Sequence, residues 1–379
     1  MGYKKNMNNR FIPVNTPLLS GNEKKYINEC IDTGWISSEG PFVERFEADL
    51  SRIVNRKYGV AVSSGTAALD IAVEALGIGK GDEVILPTFT IISCIHQIIR
   101  SGATPVFVDS EPITWNMDIS QIEDKITKRT KAIMVVHIYG LPVDIDPVLK
   151  LARKYKLKII EDAAEMIGQT YKGKPCGSYG DVSIFSFYPN KHITTGEGGM
   201  VVTNNNELAK KCQSLRNLCF QKKQRFVHKE LGWNYRMTNL QAALGLAQLE
   251  QLDKFVEKKR KMGKFYTDSL KEMKQIQVPL EETSYAKNIY WVFGIVLKNN
   301  AKNNAKKIMG QLQELGIGTR PFFYPLHLQP YFKNKFAFYR DSYPVSENMS
   351  QMGFYLPSGL NLSSLQIENI CNHLKSIFI

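Results

Sequence analysis

Lys191 lies in a stretch of the 379-residue chain that could hold a lysine in place and make it a nucleophile. The run from Ser186 to Gly199 separates two apolar segments of strand type, and three glycines at its end turn the chain sharply back. A lysine held at a strand end can be stripped of water, so that its pKa falls and its free amine can attack a carbonyl. Lys191 is therefore a candidate Schiff-base lysine, although most lysines of so lysine-rich a chain are solvated surface charges.

Two other strand ends carry groups that such a lysine would need. Gly65 and Thr66 open a predicted helix directly after a strand, and free N–H groups at a helix start can bind phosphate. Many turns of α/β proteins look the same, so an ordinary turn explains this segment at least equally well. Asp162 ends an apolar strand, where α/β proteins place their ligands. It would alternatively cap a helix predicted over Ala163–Ile167.

Together, these three strand ends fit the requirements of pyridoxal 5′-phosphate. Lys191 would bond to the carbonyl carbon of the cofactor. Asp162 would keep the pyridine nitrogen protonated, so that the ring can draw electrons from the substrate. The helix start at Gly65 and the hydroxyl of Ser186 would hold the phosphate. Each signal is modest alone, but their order and their placement at strand ends make the combination strong.

Strand and helix patterns alternate between Tyr58 and Val202, as in a largely parallel α/β sheet that is covered by helices on both faces. The predicted strands are residues 59–63, 83–87, 104–108, 131–136, 158–160, 182–186 and 200–203. The predicted helices among them are residues 65–75, 90–101 and 147–155.

The chain divides into two predicted domains. Residues 1–250 form a large cofactor-binding domain with an N-terminal arm over residues 1–30, of which the first ten are polar and expected to be disordered. Residues 251–379 form a smaller C-terminal α+β domain. A strongly helical segment, predicted over residues 239–270, connects the two.

The composition argues against several classes of protein. A hydrophobic content of 43% supports a sizeable core, and no apolar run approaches the ~20 residues of a membrane span. Six cysteines without Cys-x-x-Cys spacing argue against a metal site or a disulfide framework. The net charge of +13 fits a solvated lysine-rich surface or the attraction of an anionic substrate, and no nucleic-acid-binding module accompanies it. We therefore expect a cytoplasmic protein that binds no metal, nucleic acid or membrane.

Nearly the whole chain resembles the sugar-nucleotide aminotransferases of the DegT/DnrJ/StrS group, which are fold-type I enzymes of the aspartate aminotransferase kind. The motifs that carry this resemblance are Gly34–Ser38, Glu161–Glu165, Gly180–Asp181, Ser186–Phe187, Lys191, Thr194–Gly199, Trp233–Asn239 and Arg320–Pro325. The resemblance implies a large domain with a seven-stranded, mostly parallel sheet between helices, and a smaller α+β C-terminal domain.

The resemblance also implies roles at the cofactor. Lys191 is expected to be the Schiff-base lysine and the proton shuttle, and Asp162 to pair with the pyridinium nitrogen. Glu165 is expected near the 3-oxygen of the cofactor, where many members have glutamine. Related dehydratases have histidine in place of the lysine, so Lys191 favours amine transfer.

The remaining cofactor contacts follow from the same resemblance. Gly65, Thr66 and Ser186 are expected to bind the phosphate. Asn234 is expected to reach the phosphate held by a second subunit, which implies a homodimer with shared active sites. Ile91 takes the position over the cofactor ring where many members have an aromatic residue.

Three segments resemble those of the GDP-perosamine synthases within the family: Gly21–Tyr26, Arg225–His228 and Gly318–Pro325. This implies amination of GDP-4-keto-6-deoxymannose at C4, with L-glutamate as donor, for O-antigen synthesis. The pair Leu218-Cys219 departs from the His-Gly of many members. A UDP- or dTDP-linked keto sugar is therefore an alternative substrate, and a non-catalytic regulatory protein is an alternative of another class.

The residues expected to contact substrate share polar or aromatic side chains in the segments that carry the resemblance. Arginine can bind a phosphate with two parallel hydrogen bonds. For the arginines and histidines among these residues the alternative is a structural ion pair or a satisfied polar group, and for Trp35 it is a core position. They are Trp35, Ser37, His228, Arg236, Arg320, Tyr324 and His327.

Overall fold

The computed structural model of the chain describes residues 11–221, 223–298, 304–333 and 341–378, so the disorder expected for residues 1–10 lies outside the described part. The strands are β1 Tyr58–Val62, β2 Glu83–Pro87, β3 Thr104–Val108, β4 Thr130–Val136, β5 Lys158–Asp162, β6 Thr170–Tyr171, β7 Lys174–Pro175, β8 Val182–Ser186, β9 Gly199–Thr203, β10 Ile276–Gln277, β11 Phe293–Leu297, β12 Arg320–Pro321 and β13 Gly353–Leu356. The α-helices are α1 Glu23–Thr33, α2 Pro41–Ile53, α3 Gly65–Ala75, α4 Ser93–Arg100, α5 Ile145–Tyr155, α6 Asn206–Arg216, α7 Asn239–Leu249, α8 Leu252–Leu270, α9 Ala305–Glu314, α10 Pro344–Met352 and α11 Ser364–Ile377.

The larger sheet has seven strands in the order β1-β9-β8-β5-β4-β2-β3. The pairs from β8 to β3 are parallel, and only β9 runs antiparallel to both of its neighbours. Side chains alternate between two buried cores, with Val60 and Val62 in one and Ala61 in the other. A sheet covered on both faces explains why its strands are nearly continuous apolar runs. The predicted seven-stranded, mostly parallel sheet is confirmed.

The parallel strands place their C-terminal ends along one edge of the sheet. Asp162 ends β5, Ser186 ends β8, and Ser64 after β1 caps α3 by accepting a hydrogen bond from the Ala67 N–H at 3.1 Å. The predicted helix over Ala163–Ile167 is wrong, because the chain forms turns there. Asp162 is therefore not a helix cap, and this alternative to a site residue is removed.

The C-terminal part contains a second sheet of four antiparallel strands in the order β10-β11-β13-β12. A separate apolar core lies between this sheet and α8, α9 and α11. The helical segment predicted over residues 239–270 is two helices, because α7 ends at Leu249 and α8 begins at Leu252. An α+β unit follows the large sheet as predicted, and the boundary at residue 250 stays a prediction. Within the described ranges, no helix is both long and apolar enough to cross a membrane.

Lys259 on α8 is buried at the junction of α8 with the second sheet. Its Nζ donates hydrogen bonds to the carbonyl oxygens of Trp291, at 2.9 Å, and Ser358. Burial lowers the pKa of Lys259 to about 7. A neutral amine has two N–H groups, which is what these two carbonyls require.

We expect the free energy of unfolding to report the ionisation of Lys259. The folded pKa of about 7 lies below the value of about 10.4 in an unfolded chain. Between these values the unfolded state binds more protons, so stability rises with pH and is lost as pH falls toward 7. Chemical denaturation between pH 7 and 8.5, as working pH values, should show wild type gaining stability over Lys259→Met with a slope approaching about 1.4 kcal/mol per pH unit.

The difference in stability between wild type and Lys259→Met isolates the contribution of Lys259. Burial raises the pKa of thiols such as Cys94 and Cys176, which opposes stability at alkaline pH, but both proteins share these groups. Lys258→Met, at an exposed neighbouring lysine, should follow the wild-type slope. Equal slopes for wild type and Lys259→Met would contradict the prediction.

Candidate functional site

A cavity of about 560 Å³ opens at the C-terminal edge of the larger sheet. Strand ends and loops of the large sheet form one side, and residues from the second sheet and its connections form the other. The lining residues are Ser64, Gly65, Thr66, Leu69, Thr90, Ile91, Ser93, Val136, His137, Asp162, Ala164, Glu165, Ile184, Ser186, Tyr188, Asn190, Lys191, Glu197, Trp291, Arg320, Pro321, Phe322, Phe323, Tyr324 and Tyr355.

Lys191 is held by the loop between β8 and β9. Its backbone N–H donates to the Tyr188 carbonyl at 2.9 Å, and the Thr195 N–H donates to the Phe187 carbonyl at 3.0 Å. The side chain is only 10% exposed, and its Nζ lies 3.8 Å from Glu165 Oε1. Burial lowers the pKa of Lys191, and the carboxylates of Glu165 and Asp162 oppose this shift. The loop thus holds a lysine that loses its proton more readily than a solvated one.

Asp162 presents a buried carboxyl group to the same cavity. Oδ1 accepts the N–H of Ala164 at 3.0 Å, and Oδ2 accepts the thiol of Cys94 at 3.4 Å. Burial raises the pKa of Asp162. Among the described residues it forms no ion pair, so a cationic ligand group in the cavity would supply the partner that a buried carboxylate needs.

Glu161, which precedes Asp162, is a buried carboxylate whose pKa is lowered rather than raised. Its carboxylate accepts N–H groups from Gly177 at 2.5 Å, Tyr179 at 2.8 Å and Gly180 at 3.1 Å. Burial alone would raise its pKa, but hydrogen bonds and the charge of His137 lower it to about 2. Successive residues of a strand point to opposite faces, so Glu161 fastens a loop while Asp162 faces the cavity.

Glu165 lies beside the lysine. Its Oε2 accepts the N–H of Tyr139 at 2.6 Å, and its Oε1 lies 3.8 Å from Lys191 Nζ. Burial raises the pKa of Glu165 to about 8, with Lys191 opposing the shift. A protonated carboxyl group can donate a hydrogen bond, as a glutamine amide does.

The start of α3 forms a cradle at the floor of the cavity. The first N–H groups of a helix have no partner within the helix, and Gly65 brings them close to Ser186. A Cβ atom at Gly65 would lie 2.8 Å from Ser186 Cβ and 3.1 Å from its hydroxyl oxygen. The Thr66 and Ser93 hydroxyls lie 2.7 Å apart. Backbone N–H groups and hydroxyls at a helix start suit a phosphate dianion.

Gly65→Ala is expected to weaken binding of the phosphorylated cofactor by about 10-fold or more, because the new Cβ displaces Ser186 and one charge-assisted hydrogen bond is worth about 1.5–3 kcal/mol. Titration of cofactor-free protein with pyridoxal 5′-phosphate, followed by absorbance, measures the change. Gly310→Ala is the control, since a Cβ there meets no atom within 4 Å. Wild-type affinity in Gly65→Ala would show that this cradle does not hold the phosphate.

The structure brings most predicted cofactor residues together, but fewer of the predicted substrate residues. The predicted cofactor residue Ile91 lines the cavity with Lys191. The predicted substrate residues Arg320 and Tyr324 line it as well. Asn234 is exposed and lies outside the cavity, where its backbone forms an isolated β-bridge with Asn217.

Four other predicted substrate residues lie away from Lys191 in the single chain. Trp35 lines a separate crevice with Arg216, and the Ser37 carbonyl accepts the N–H of Asn239 at 2.6 Å. The exposed His228 places Nδ1 2.8 Å from the Leu218 carbonyl, and Arg236 donates to the Asn217 side chain at 2.6 Å. Their contact with substrate stays a prediction.

His327 is fully buried behind the cavity wall. Its Nδ1 lies 2.7 Å from the Thr88 hydroxyl and its Nε2 lies 3.2 Å from Glu347 Oε1. Burial lowers the pKa of His327, and Glu347 opposes the shift. Both ring nitrogens are thus occupied within the chain, which corresponds to the satisfied polar residue that was the alternative for this position.

Sequence reasoning missed several residues of the cavity. Tyr355 lies in β13 of the second sheet and Trp291 just before β11, and no local motif marks them as neighbours of Lys191. Tyr188 and Asn190 could have been found, because they adjoin Lys191 on the same held loop.

Comparison with known proteins agrees with this geometry. The model of the DegT/DnrJ/EryC1/StrS aminotransferase family matches residues 17–375. The GDP-perosamine synthase of Escherichia coli O157:H7 is 42% identical over 369 residues, covering 97% of this chain and 99% of that protein. The GDP-perosamine synthase of Vibrio cholerae is also 42% identical, with the same two coverages. The crystal structure of the aminotransferase TlmJ from Streptoalloteichus hindustanus superposes with a TM-score of 0.90 at 28% identity, covering 97% and 98% of the two chains.

Proposed function

Because the chain belongs to the DegT/DnrJ/EryC1/StrS aminotransferase family, whose members use pyridoxal 5′-phosphate, we propose that it aminates C4 of GDP-4-keto-6-deoxymannose with L-glutamate as donor. The product is GDP-perosamine, and the proposal places this step in O-antigen synthesis in the cytoplasm. One observation carries the chemistry: the buried Lys191 and the buried carboxyl group of Asp162, which forms no ion pair within the described part of the chain, face one cavity beside a helix start. The names of the relatives at 42% identity support the choice of sugar.

The residues present fit the cofactor in three respects. Asp162 forms no ion pair among the described residues, and a pyridinium nitrogen would supply it with a cationic partner. The helix start at Gly65 is shaped for an anion and would be filled by a Cβ atom. Glu165, with its raised pKa, can donate a hydrogen bond to the 3-oxygen of the ring.

The chain itself would supply binding and proton transfer. When bound, the cofactor provides a carbonyl group for amine exchange and a ring that stores the electrons of a broken C–H bond. Lys191 Nζ would take a proton from the donor carbon and would return one during amination of the sugar. A proton acceptor must be neutral, and the burial that lowers the pKa of Lys191 favours that form.

Arg320 would bind the anionic part of the substrate. It lines the cavity of Lys191 and also an adjoining crevice of about 120 Å³, which Tyr188 and Tyr355 share with it. A guanidinium at the boundary of two spaces can bind the diphosphate of a nucleotide sugar with the keto carbon directed toward Lys191. Tyr324, half exposed at the same mouth, would contact the sugar.

A homodimer with shared active sites is part of the proposal. Asn234 is exposed, as a residue that serves a second subunit would be. Trp35, Ile36 and Leu231 are 51%, 50% and 91% exposed in the single chain, which provides apolar surface for a partner.

Mixing two impaired variants tests the shared site. With Lys191→Ala and Asn234→Ala chains in equal amounts, each mixed dimer has one site with both changes and one site with neither. Random assembly should restore about a quarter of wild-type activity, because half of the dimers are mixed and half of their sites are intact. Mixing after covalent cross-linking of each homodimer is the control. No recovery from exchangeable subunits would remove Asn234 from the partner's site.

Turnover with a panel of nucleotide-linked keto sugars tests the substrate. We expect amination of the GDP-linked 4-keto-6-deoxy sugar, detected by mass spectrometry, when L-glutamate is present. Preference for a UDP- or dTDP-linked sugar would support the proposed amine transfer but would contradict the proposed GDP-linked substrate. A protein that binds the cofactor but aminates no sugar in the panel would instead support the non-catalytic alternative.

A further inference from the structure

Trp291 has no predicted role, yet its indole ring lies against the amine of Lys191. Lys191 Nζ is 3.7 Å from the centroid of the ring, which is close for a cation over an aromatic face. Trp291 is only 4% exposed, so most of the indole is shielded from solvent. Glu165 Oε1 also lies near the amine, 3.8 Å from Nζ.

The segment containing Trp291 is fastened to the chain on both sides of the lysine. The indole N–H of Trp291 donates to the Asn190 carbonyl at 2.8 Å. The Nε2 of His192 lies 3.1 Å from the Ile289 carbonyl. The residues before and after Lys191 are thus both bound to this one segment.

The backbone next to Trp291 has an unusual conformation. Tyr290 has a φ of 49°, a left-handed conformation that bulky residues rarely adopt. Its N–H donates to Asn288 Oδ1 at 2.7 Å. Gly140 makes room for it, because a Cβ there would lie 2.6 Å from the Tyr290 nitrogen and 2.8 Å from that of Trp291. Such strain persists only where surrounding contacts hold it.

We propose that Trp291 is a positioning residue whose indole face holds the free amine of Lys191, directed at Glu165 and the cavity, whenever the lysine is not covalently engaged. The inference rests on the proposed function, in which Lys191 alternates between bonded and free states. A long side chain released into a cavity would otherwise sample many rotamers, and fixing it near the reacting carbon keeps proton transfer efficient.

Fluorinated tryptophan tests the contact at nearly constant shape, because fluorine weakens the negative face of the ring. Cofactor-free protein is made with ordinary, monofluorinated and tetrafluorinated tryptophan, and the pKa of Lys191 is read from the pH dependence of its acetylation by mass spectrometry. We expect the pKa to fall stepwise, by about half a unit to one unit in total.

Trp291→Phe is the matched control, since the other three tryptophans still carry fluorine in that background. There the pKa of Lys191 should not change on fluorination. An unchanged pKa in the wild-type background, or an equal shift in Trp291→Phe, would overturn the proposal. The readout needs neither cofactor nor turnover, so its failure is distinct from failure of the proposed function, which the sugar panel would reveal.

Discussion

Lys191→Ala is expected to lower kcat/KM for transamination by at least about 10⁴-fold, since the lysine supplies both covalent attachment and general acid–base catalysis. The variant should bind the cofactor without the absorbance band of the lysine-bound form near ~410 nm. It should also fold, because it removes an amine whose charged form is disfavoured by burial. Single-turnover conversion with L-glutamate, followed by absorbance, measures the loss directly.

Lys261→Ala is a matched control for this substitution. Lys261 is 74% exposed and pairs with Glu257 on its own helix. Its replacement should leave the rate within about 2-fold of wild type, as for most exposed ion pairs. A Lys191→Ala protein that interconverts the cofactor forms at the wild-type rate would remove Lys191 from the chemistry.

Asp162→Asn is expected to produce the second-largest loss, a fall of about 10²–10³-fold in the rate of the half-reaction with glutamate. An amide cannot hold a proton on the pyridine nitrogen as a carboxylate does, so the ring becomes a weaker acceptor of electrons. The asparagine Oδ1 can still accept the Ala164 N–H, which preserves the local turn. The ~410 nm band should therefore persist, since attachment to Lys191 does not require the carboxylate.

Asp181→Asn makes the same chemical change outside the cavity. Asp181 accepts the Ile159 N–H at 2.9 Å and binds Lys158 at 3.1 Å before β8 begins. We expect some loss of stability but no large loss of single-turnover rate. A wild-type half-reaction in Asp162→Asn would show that this carboxyl group does not tune the cofactor.

The sequence predicted the central part of the site because it depends on chain-local signals and one rule of topology. Lys191, Asp162 and Gly65 each follow an apolar strand, and the C-terminal ends of parallel strands meet at one edge. The motifs and this rule together therefore predicted that these residues lie close to one another.

The rest depended on packing between distant segments. Trp291 reaches Lys191 only because the second sheet docks on the first and Gly140 admits a left-handed Tyr290. The residues after Asp162 have good helix propensity, but Glu165 is drawn to the Tyr139 N–H and the chain turns instead. His327 has the chemistry of a ligand, and only the folded positions of Thr88 and Glu347 show that both of its ring nitrogens are already occupied.

The most direct test of the central claim is an absorbance spectrum of the purified protein with pyridoxal 5′-phosphate during sequential addition of the two substrates. We predict a band near ~410 nm that disappears with L-glutamate and returns when GDP-4-keto-6-deoxymannose is added, with the amino sugar formed in equal amount. A band that neither glutamate nor the keto sugar alters would contradict an aminotransferase centred on Lys191.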